Sequence, residues 1–419
     1  MSEENNPKII TRRTALRAAL AAGAVNLAPP FLLSARGEQS VKIGFCDPLT
    51  GTYAELGKNE LIGTQLAVEQ INAKGGILGR QVELLVEDST STDAGTAVQK
   101  TRKLIDRDNV NFVLGNVNSG LSVAMAQVTN EKRVLHIVQG GHTDTVTGTD
   151  CHWNVFRVCN TTQTETAAVA SVLLNKTGKK WYYITTDYAF GHTLQSSMEK
   201  VAARLGGIKA GGDLSPLGTT DFSSYLIKAQ AARPDTIIFF LAGDDMVNAL
   251  KQAVQFGLDK SLHLGGAQQE LEVLEGLPPE ARVGYWVFEW YWKQPGVAHV
   301  TEFVDAIRKK TGKAPTARTW FGFASTWSCA LAANTAKSLD SVKMARALSG
   351  MTLPPEIGLM PYLPVYRAGQ NQAMNTLYVG NAQAKGSTAE DLFNVTDLVK
   401  GVDVSDSVEA SGCKMVWPT

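Results

Sequence analysis

Excess charge of either sign is what this 419-residue chain lacks: 40 Lys and Arg balance 40 Asp and Glu, for a formal net charge of zero. No basic stripe suited to a nucleic-acid backbone stands out, and no polybasic patch suited to a membrane surface. Long apolar runs are missing too. Without ~20 uninterrupted apolar residues, no segment reads as a membrane span. Cysteines are few, and the scatter of Cys46, Cys151, Cys159, Cys329 and Cys413 has no metal-ligand spacing, so no metal site is assigned. What is present is apolar substance: 44% of the residues are hydrophobic. A chain beyond about 250–300 residues usually divides into two domains.

Residues 1–37 read as a targeting segment. Thr11-Arg12-Arg13-Thr14-Ala15-Leu16-Arg17 is followed by a weakly apolar stretch over 18–33, interrupted by Asn26 and Pro29-Pro30. Leu33-Ser34-Ala35 then offers small residues for cleavage. The segment resembles a bacterial Tat signal, although Ala15 stands where that motif usually carries a large apolar residue. The resemblance implies a soluble protein exported to the periplasm. No cysteine follows a lipobox-like run, so no lipid anchor is expected. Export makes the cysteines candidates for disulfides, and their odd number leaves at least one free or paired between chains.

The stretch 111–148 organises the rest of the chain. The apolar run Phe112-Val113-Leu114 stops at Gly115, and the polar residues Asn116, Asn118, Ser119 and Gly120 lead into a helical pattern over 121–128. A second apolar run over 134–138 ends in Gln139-Gly140-Gly141-His142-Thr143-Asp144. Strand, polar loop, helix, strand, polar loop is one crossover unit and implies a parallel sheet. Both polar loops follow carboxyl ends of strands, where open α/β sheets place ligands. Ser119 would open a helix whose N-terminal N–H groups favour an anion such as a carboxylate. A Ser-Gly before a helix is also, more simply, an N-cap and a turn.

Earlier residues repeat the pattern. Strands are expected over 41–45 and 82–86, with a helix between them carrying Leu61, Leu66, Ala67 and Ile71 and stopping at Gly75-Gly76. A further helix is expected over 94–105. Four consecutive strand–helix units argue a doubly wound α/β domain. A second lobe of the same kind follows. Its strands are expected over 181–185, 236–241, 262–264 and 283–288, and terminal strands over 377–382 and 392–395. Gly265-Gly266-Ala267-Gln268-Gln269 reads as a polar loop.

Several blocks carry a specific resemblance. Ile43-Gly44, Leu49-Thr50-Gly51 and Ile71-Asn72-Ala73-Lys74-Gly75-Gly76-Ile77-Leu78-Gly79 are joined by Glu87-Asp88, Asn116, Ser119 and Tyr188-Ala189-Phe190-Gly191. Together they resemble the leucine/isoleucine/valine-binding family of type I periplasmic solute-binding proteins, which serve ABC importers. The likeness covers nearly all of 41–380. It implies two doubly wound parallel-sheet lobes joined by three hinge segments, placed near 158–162, 288–292 and 353–361. Lobe 1 is then 38–158 with 289–355, lobe 2 is 159–288 with 356–404, and 405–419 is an extension. The implied partners are a small-molecule ligand and the permease and ATPase subunits of an ABC transporter. A monomer without cofactor and without enzymatic activity is expected.

The resemblance also assigns a ligand site. Asn118 and Ser119 map to the family's carboxylate or amide contacts, and Gly140, Gly141 and His142 to the contacts after the fourth strand. Tyr188 or Phe190 would cover the ligand, and Gln268 lies in the loop facing it. His142 departs from the small residue and threonine common there; it could meet a ligand oxygen, or simply be oriented by Asp144. Where the family often has a glutamate for an amino-acid ammonium, this chain has Gln268-Gln269, with Glu270 one step late. Aromatics crowd 285–292, Tyr-Trp-Val-Phe-Glu-Trp-Tyr-Trp. A branched-chain or other hydrophobic amino acid, an aromatic acid and an amide all stay open as ligands. The resemblance further implies a disulfide from Cys151 to Cys413, with Cys159 as the competing partner. Other classes are weaker. Ser119, His142 and Asp144 can be drawn as a hydrolytic triad, yet the serine lacks a Gly-x-Ser-x-Gly elbow. A sensory receptor domain would need a following membrane span, which the last 100 residues do not show.

Overall fold

A computed structural model describes residues 39–419; the expected targeting segment, 1–37, lies outside them. The first sheet is built from β1 (Val41–Asp47), β2 (Val82–Asp88), β3 (Phe112–Leu114), β4 (Leu135–Val138) and β5 (Val155–Arg157). The second starts with β6 (Lys180–Thr186), β7 (Ile208–Ser215), β8 (Thr236–Phe240), β9 (His263–Gln268) and β10 (Tyr285–Phe288). Four late strands complete them: β11 (Val365–Arg367), β12 (Gln372–Met374), β13 (Thr376–Ala382) and β14 (Phe393–Lys400).

The two sheets run β11-β12-β5-β4-β3-β1-β2 and β14-β13-β10-β9-β8-β6-β7. Within each, the five early strands are parallel in the order second, first, third, fourth, fifth. This is a doubly wound arrangement, with its switch point between the first and third strands. Helices cover both faces, so the central strands Phe112–Leu114, Leu135–Val138 and Thr236–Phe240 are buried throughout. Such strands read as continuous apolar runs in sequence, which is why they were legible there.

The chain passes between sheets after Arg157, after Phe288 and between Met374 and Thr376. The third passage departs from the expectation near 353–361. Residues 365–374 return to the first sheet, where β11 and β12 pair antiparallel and Gln372 pairs with Arg157. Strands of three residues carry no periodicity to read. β5 escaped the sequence reading for the same reason, and β7 because it contains Gly211-Gly212 and lies at the sheet edge with a largely exposed face. Gly265 to Gln268 is likewise strand rather than loop. A side chain at Gly266 would meet the Trp286 ring at 2.6 Å, so glycine there reflects close packing inside the sheet.

Packing places most aromatics of 285–292 in the cores of the lobes. Trp286, Phe288 and Tyr291 belong to the second lobe's core, while Trp290 packs into the first lobe's core, edge-on to Phe303 at 5.5 Å. The acid of that run, Glu289, pairs with His142 of the first lobe. After β14 the extension returns to the first lobe. There Cys413 is disulfide-bonded to Cys151 and Trp417 packs against Trp153 at 6.3 Å. Cys46, Cys159 and Cys329 are buried free thiols.

Candidate functional site

The cleft between the sheets is lined from elements distant in sequence. In the first lobe, helix Ala54–Ala73 crosses helix Ala317–Ala336 at glycines: a Cβ on Gly63 would lie 1.8 Å from the Thr319 carbonyl oxygen, and one on Gly322 1.9 Å from that of Glu60. That crossing sets Glu60 against Arg318, with Oε1 3.0 Å from Nη1. Arg318 donates from Nε to Glu270 Oε1 of the second lobe at 2.6 Å and from Nη1 to the Gly140 carbonyl at 3.3 Å. Gly140 is required by this approach, since a Cβ would sit 1.9 Å from Arg318 Nη1. All three charged side chains are buried. Burial works against the Arg318 charge, but Glu270 and Glu60 raise its pKa well above the ordinary value. Burial raises Glu60 and raises Asp47 beside it further still.

A second constellation surrounds His142. Its Nε2 pairs with Glu289 Oε2, lies 3.5 Å from Glu165 Oε1, and is 3.2 Å from the Gln268 amide nitrogen. Glu289 Oε1 accepts from the Asn160 backbone N–H at 2.5 Å and its side-chain amide at 2.9 Å. Burial would raise Glu289, yet His142 and the Asn160 N–H hold it below its ordinary value. Glu165, in the first turn of helix Thr162–Thr177, is moved the other way, well above its ordinary value, by burial and then by Glu289. The donor atoms of His142, Glu165 and Glu289 lie within 4.8 Å of one another, close enough for one cation to be held between them. The aromatic walls are Phe190 and Phe321, whose rings stand 5.9 and 6.2 Å from the imidazole, edge to face.

The residues assigned from the sequence are distributed as follows. Asn118 caps helix Ser119–Lys132, its Oδ1 accepting from the N–H groups of Gly120 and Leu121 at 2.8 and 3.1 Å. The cap is therefore Asn118 rather than Ser119, and it engages two of the N–H groups that the sequence reading reserved for an anion. Ser119 Oγ accepts from the Thr143 N–H at 3.2 Å. Gly141 leaves room for Ser122 and accepts from Arg157 Nη1 at 3.0 Å. Tyr188 reaches Tyr53 across the lobes, and Phe190 and Gln268 meet His142. The imidazole is oriented by Glu289, not by Asp144, whose carboxylate accepts from the Gln163 N–H at 2.9 Å and from Ser197 Oγ at 3.2 Å. The hydrogen bonds of Ser119, His142 and Asp144 thus run to other partners, and no relay connects them.

Sequence reasoning missed Glu60, Glu165, Glu289 and Arg318. Two had a visible signal: Glu289 is the single acid in the run Tyr285 to Trp292, and Arg318 starts an otherwise apolar helical stretch, Trp320-Phe321-Gly322-Phe323-Ala324. A charge in such surroundings is retained with a partner.

Two doubly wound lobes enclosing a polar cleft set the architecture, and a family profile described as periplasmic binding protein matches residues 40–387. The chain belongs to the periplasmic binding protein family. This periplasmic binding protein is 26% identical over 345 residues to Leu/Ile/Val-binding protein homolog 7 of Brucella abortus (strain 2308), covering 76% of this chain and 83% of that one. It is similar to the crystal structure of an amino acid ABC transporter substrate-binding protein from Pseudomonas fluorescens Pf-5. The two are 25% identical with a TM-score of 0.81, over 90% of this chain and 99% of that one. A third likeness, in fold alone, is to an ABC-transporter solute-binding protein from Rhodopseudomonas palustris BisB5 in complex with 3,4-dihydroxybenzoic acid: 21% identical, TM-score 0.80, over 89% and 100% of the two chains. The fold is that of a type I periplasmic binding protein. Members bind small-molecule ligands and work with ABC-transporter membrane components. Among the described residues, no helix is long and apolar enough to cross a membrane.

Proposed function

We propose that this periplasmic binding protein is the extracytoplasmic capture subunit of an ABC importer, closing its two lobes around a small organic solute with a polar head and an apolar body. One observation supports this above others: buried charged side chains from both lobes and from a hinge segment, Arg318, Glu270, His142, Glu165 and Glu289, converge between the lobes rather than on the surface. Charge is buried at such cost only where it is paired or used. Asn118, Ser119, Gly140, Gly141, Tyr188, Phe190 and Gln268 line the same cleft in this reading. Phe190 and Phe321 favour an apolar body on the ligand, either a branched aliphatic chain or a ring. The likeness to the Pseudomonas amino acid transporter protein supports an amino acid. The Rhodopseudomonas neighbour keeps an aromatic compound in view.

Mass spectrometry of small molecules released from denatured, freshly purified protein identifies the solute. Small-angle scattering should then show a smaller radius of gyration with that solute bound, since each lobe carries half of the site. An unchanged radius with a tightly bound solute rejects the capture reading.

A further inference from the structure

The cleft shows a pronounced imbalance between donors and acceptors. Several strong donors are engaged within the protein: Arg318 by Glu60, Glu270 and the Gly140 carbonyl, His142 by Glu289, and the N–H groups of Gly120 and Leu121 by Asn118. Acceptors remain. Among the described residues, both carboxylate oxygens of Glu165 lack a hydrogen-bond partner, as do Gln268 Oε1 and Glu270 Oε2, against one unpartnered donor on the adjoining side chain, Gln269 Nε2. Glu165 is 0% exposed, and the ring nitrogen nearest it, His142 Nε2 at 3.5 Å, is already paired with Glu289. A buried carboxylate left without hydrogen bonds is costly, and an arriving donor would remove that cost.

We infer that Glu165 anchors the nitrogen of the captured solute, and that the solute presents a primary ammonium or amide N–H head to Glu165 and Gln268 rather than a carboxylate. This rests on the interlobe cleft being the capture site. A carboxylate in the same place would face these acceptor oxygens, and the side-chain donors beside them, Arg318 and His142, already pair with carboxylates. The position also differs from that expected by resemblance. On the acid at the second lobe's strand end, Glu270, Oε1 is committed to Arg318, and nitrogen recognition moves to the first turn of the helix that follows the first hinge, where both oxygens of Glu165 are without a hydrogen bond.

Glu165 faces His142, Glu289, Arg318, Asp144 and Glu270; burial first, then Glu289, raises its carboxyl well above the ordinary value, with Arg318 opposing. An arriving ammonium opposes that rise, because it favours the charged carboxylate.

The test is calorimetry with matched probes: isoamylamine against isovalerate, benzylamine against benzoate, and leucine and phenylalanine with their amides. Binding is expected for the amine- or amide-bearing members. The carboxylate-only probes should fail. Glu165→Gln should weaken the amine probe by about ten- to a hundredfold, as loss of a charge-assisted hydrogen bond does. It should also leave the melting temperature without probe unchanged or raised, because it removes an unpartnered buried carboxylate. A merely structural glutamate would instead lower that temperature. Binding of isovalerate or benzoate, or an unchanged amine affinity in Glu165→Gln, overturns the inference while leaving the capture reading standing. One equivalent of a divalent metal in the purified protein, lost in Glu165→Gln, overturns it too.

Discussion

The hydroxyls of Tyr53 and Tyr188 stand 2.7 Å apart, and they belong to different lobes. Each side chain precedes a helix, Ala54–Ala73 in the first lobe and Ala189–Arg204 in the second. Their hydrogen bond exists only while the lobes meet, so it contributes to the closed form alone. Tyr53→Phe and Tyr188→Phe should each weaken capture of the solute by about two- to tenfold, the equivalent of one net hydrogen bond of about 0.5–1.5 kcal/mol. The double variant should lose no more than either single one. Titration calorimetry on the four proteins checks this, and additive losses would show that the two hydroxyls act separately.

Arg318 joins Glu60 and Glu270 across the lobes, with all three side chains buried. Arg318→Met leaves two buried carboxylates without their cation and should cost about 3–5 kcal/mol of stability. Arg318→Lys keeps the charge but cannot reach both acids with one planar fork, so it should recover only part of the loss. Urea unfolding at neutral pH measures both.

His136 on β4 is a buried neutral imidazole, with Nε2 2.7 Å from the Gly115 carbonyl oxygen and Nδ1 3.3 Å from Thr129 Oγ1. Burial lowers its pKa from 6.5 to about 4. The unfolded chain therefore binds this proton more tightly than the folded one. Its contribution to stability is complete above pH 6.5 and declines as the pH falls from 6.5 through about 4, by about 3 kcal/mol in all. Acid unfolding of His136→Gln should show a shallower decline over that window than the wild type. Equal slopes would mean that other groups set the acid limit.

The disulfide between Cys151 and Cys413, 262 residues apart, ties the extension to the first lobe. On the hinge side the same extension touches helix Thr162–Thr177, where Asp406 N donates to Gln163 Oε1 at 3.0 Å. Cys413→Ser should cost about 2–5 kcal/mol. Thiol titration of the unfolded variant should count Cys151 in addition to Cys46, Cys159 and Cys329. A loss confined to the extension would appear as early hydrogen exchange over 405–419 with the lobes unaffected.

The sequence by itself determined the two α/β lobes and the loops that face each other, because a parallel strand covered on both faces must be apolar along its length. Phe112-Val113-Leu114 and Thr236-Ile237-Ile238-Phe239-Phe240 declare this locally. It did not determine to which lobe 365–374 belongs, since a three-residue strand is defined only by its neighbour in the sheet. Nor did it determine the charge pattern of the cleft. Glu60, Glu165, Glu270, Glu289 and Arg318 come from separate elements spread over more than half of the chain. Whether a glutamate faces water or a rival carboxylate is decided by how its helix packs. Gly63 against Thr319 and Gly322 against Glu60 bring two helices close enough to bury one ion pair, and the packing around Glu165 leaves its two oxygens without a hydrogen bond. Those distances between remote residues carry the electrostatics of the site, and only the tertiary structure fixes them.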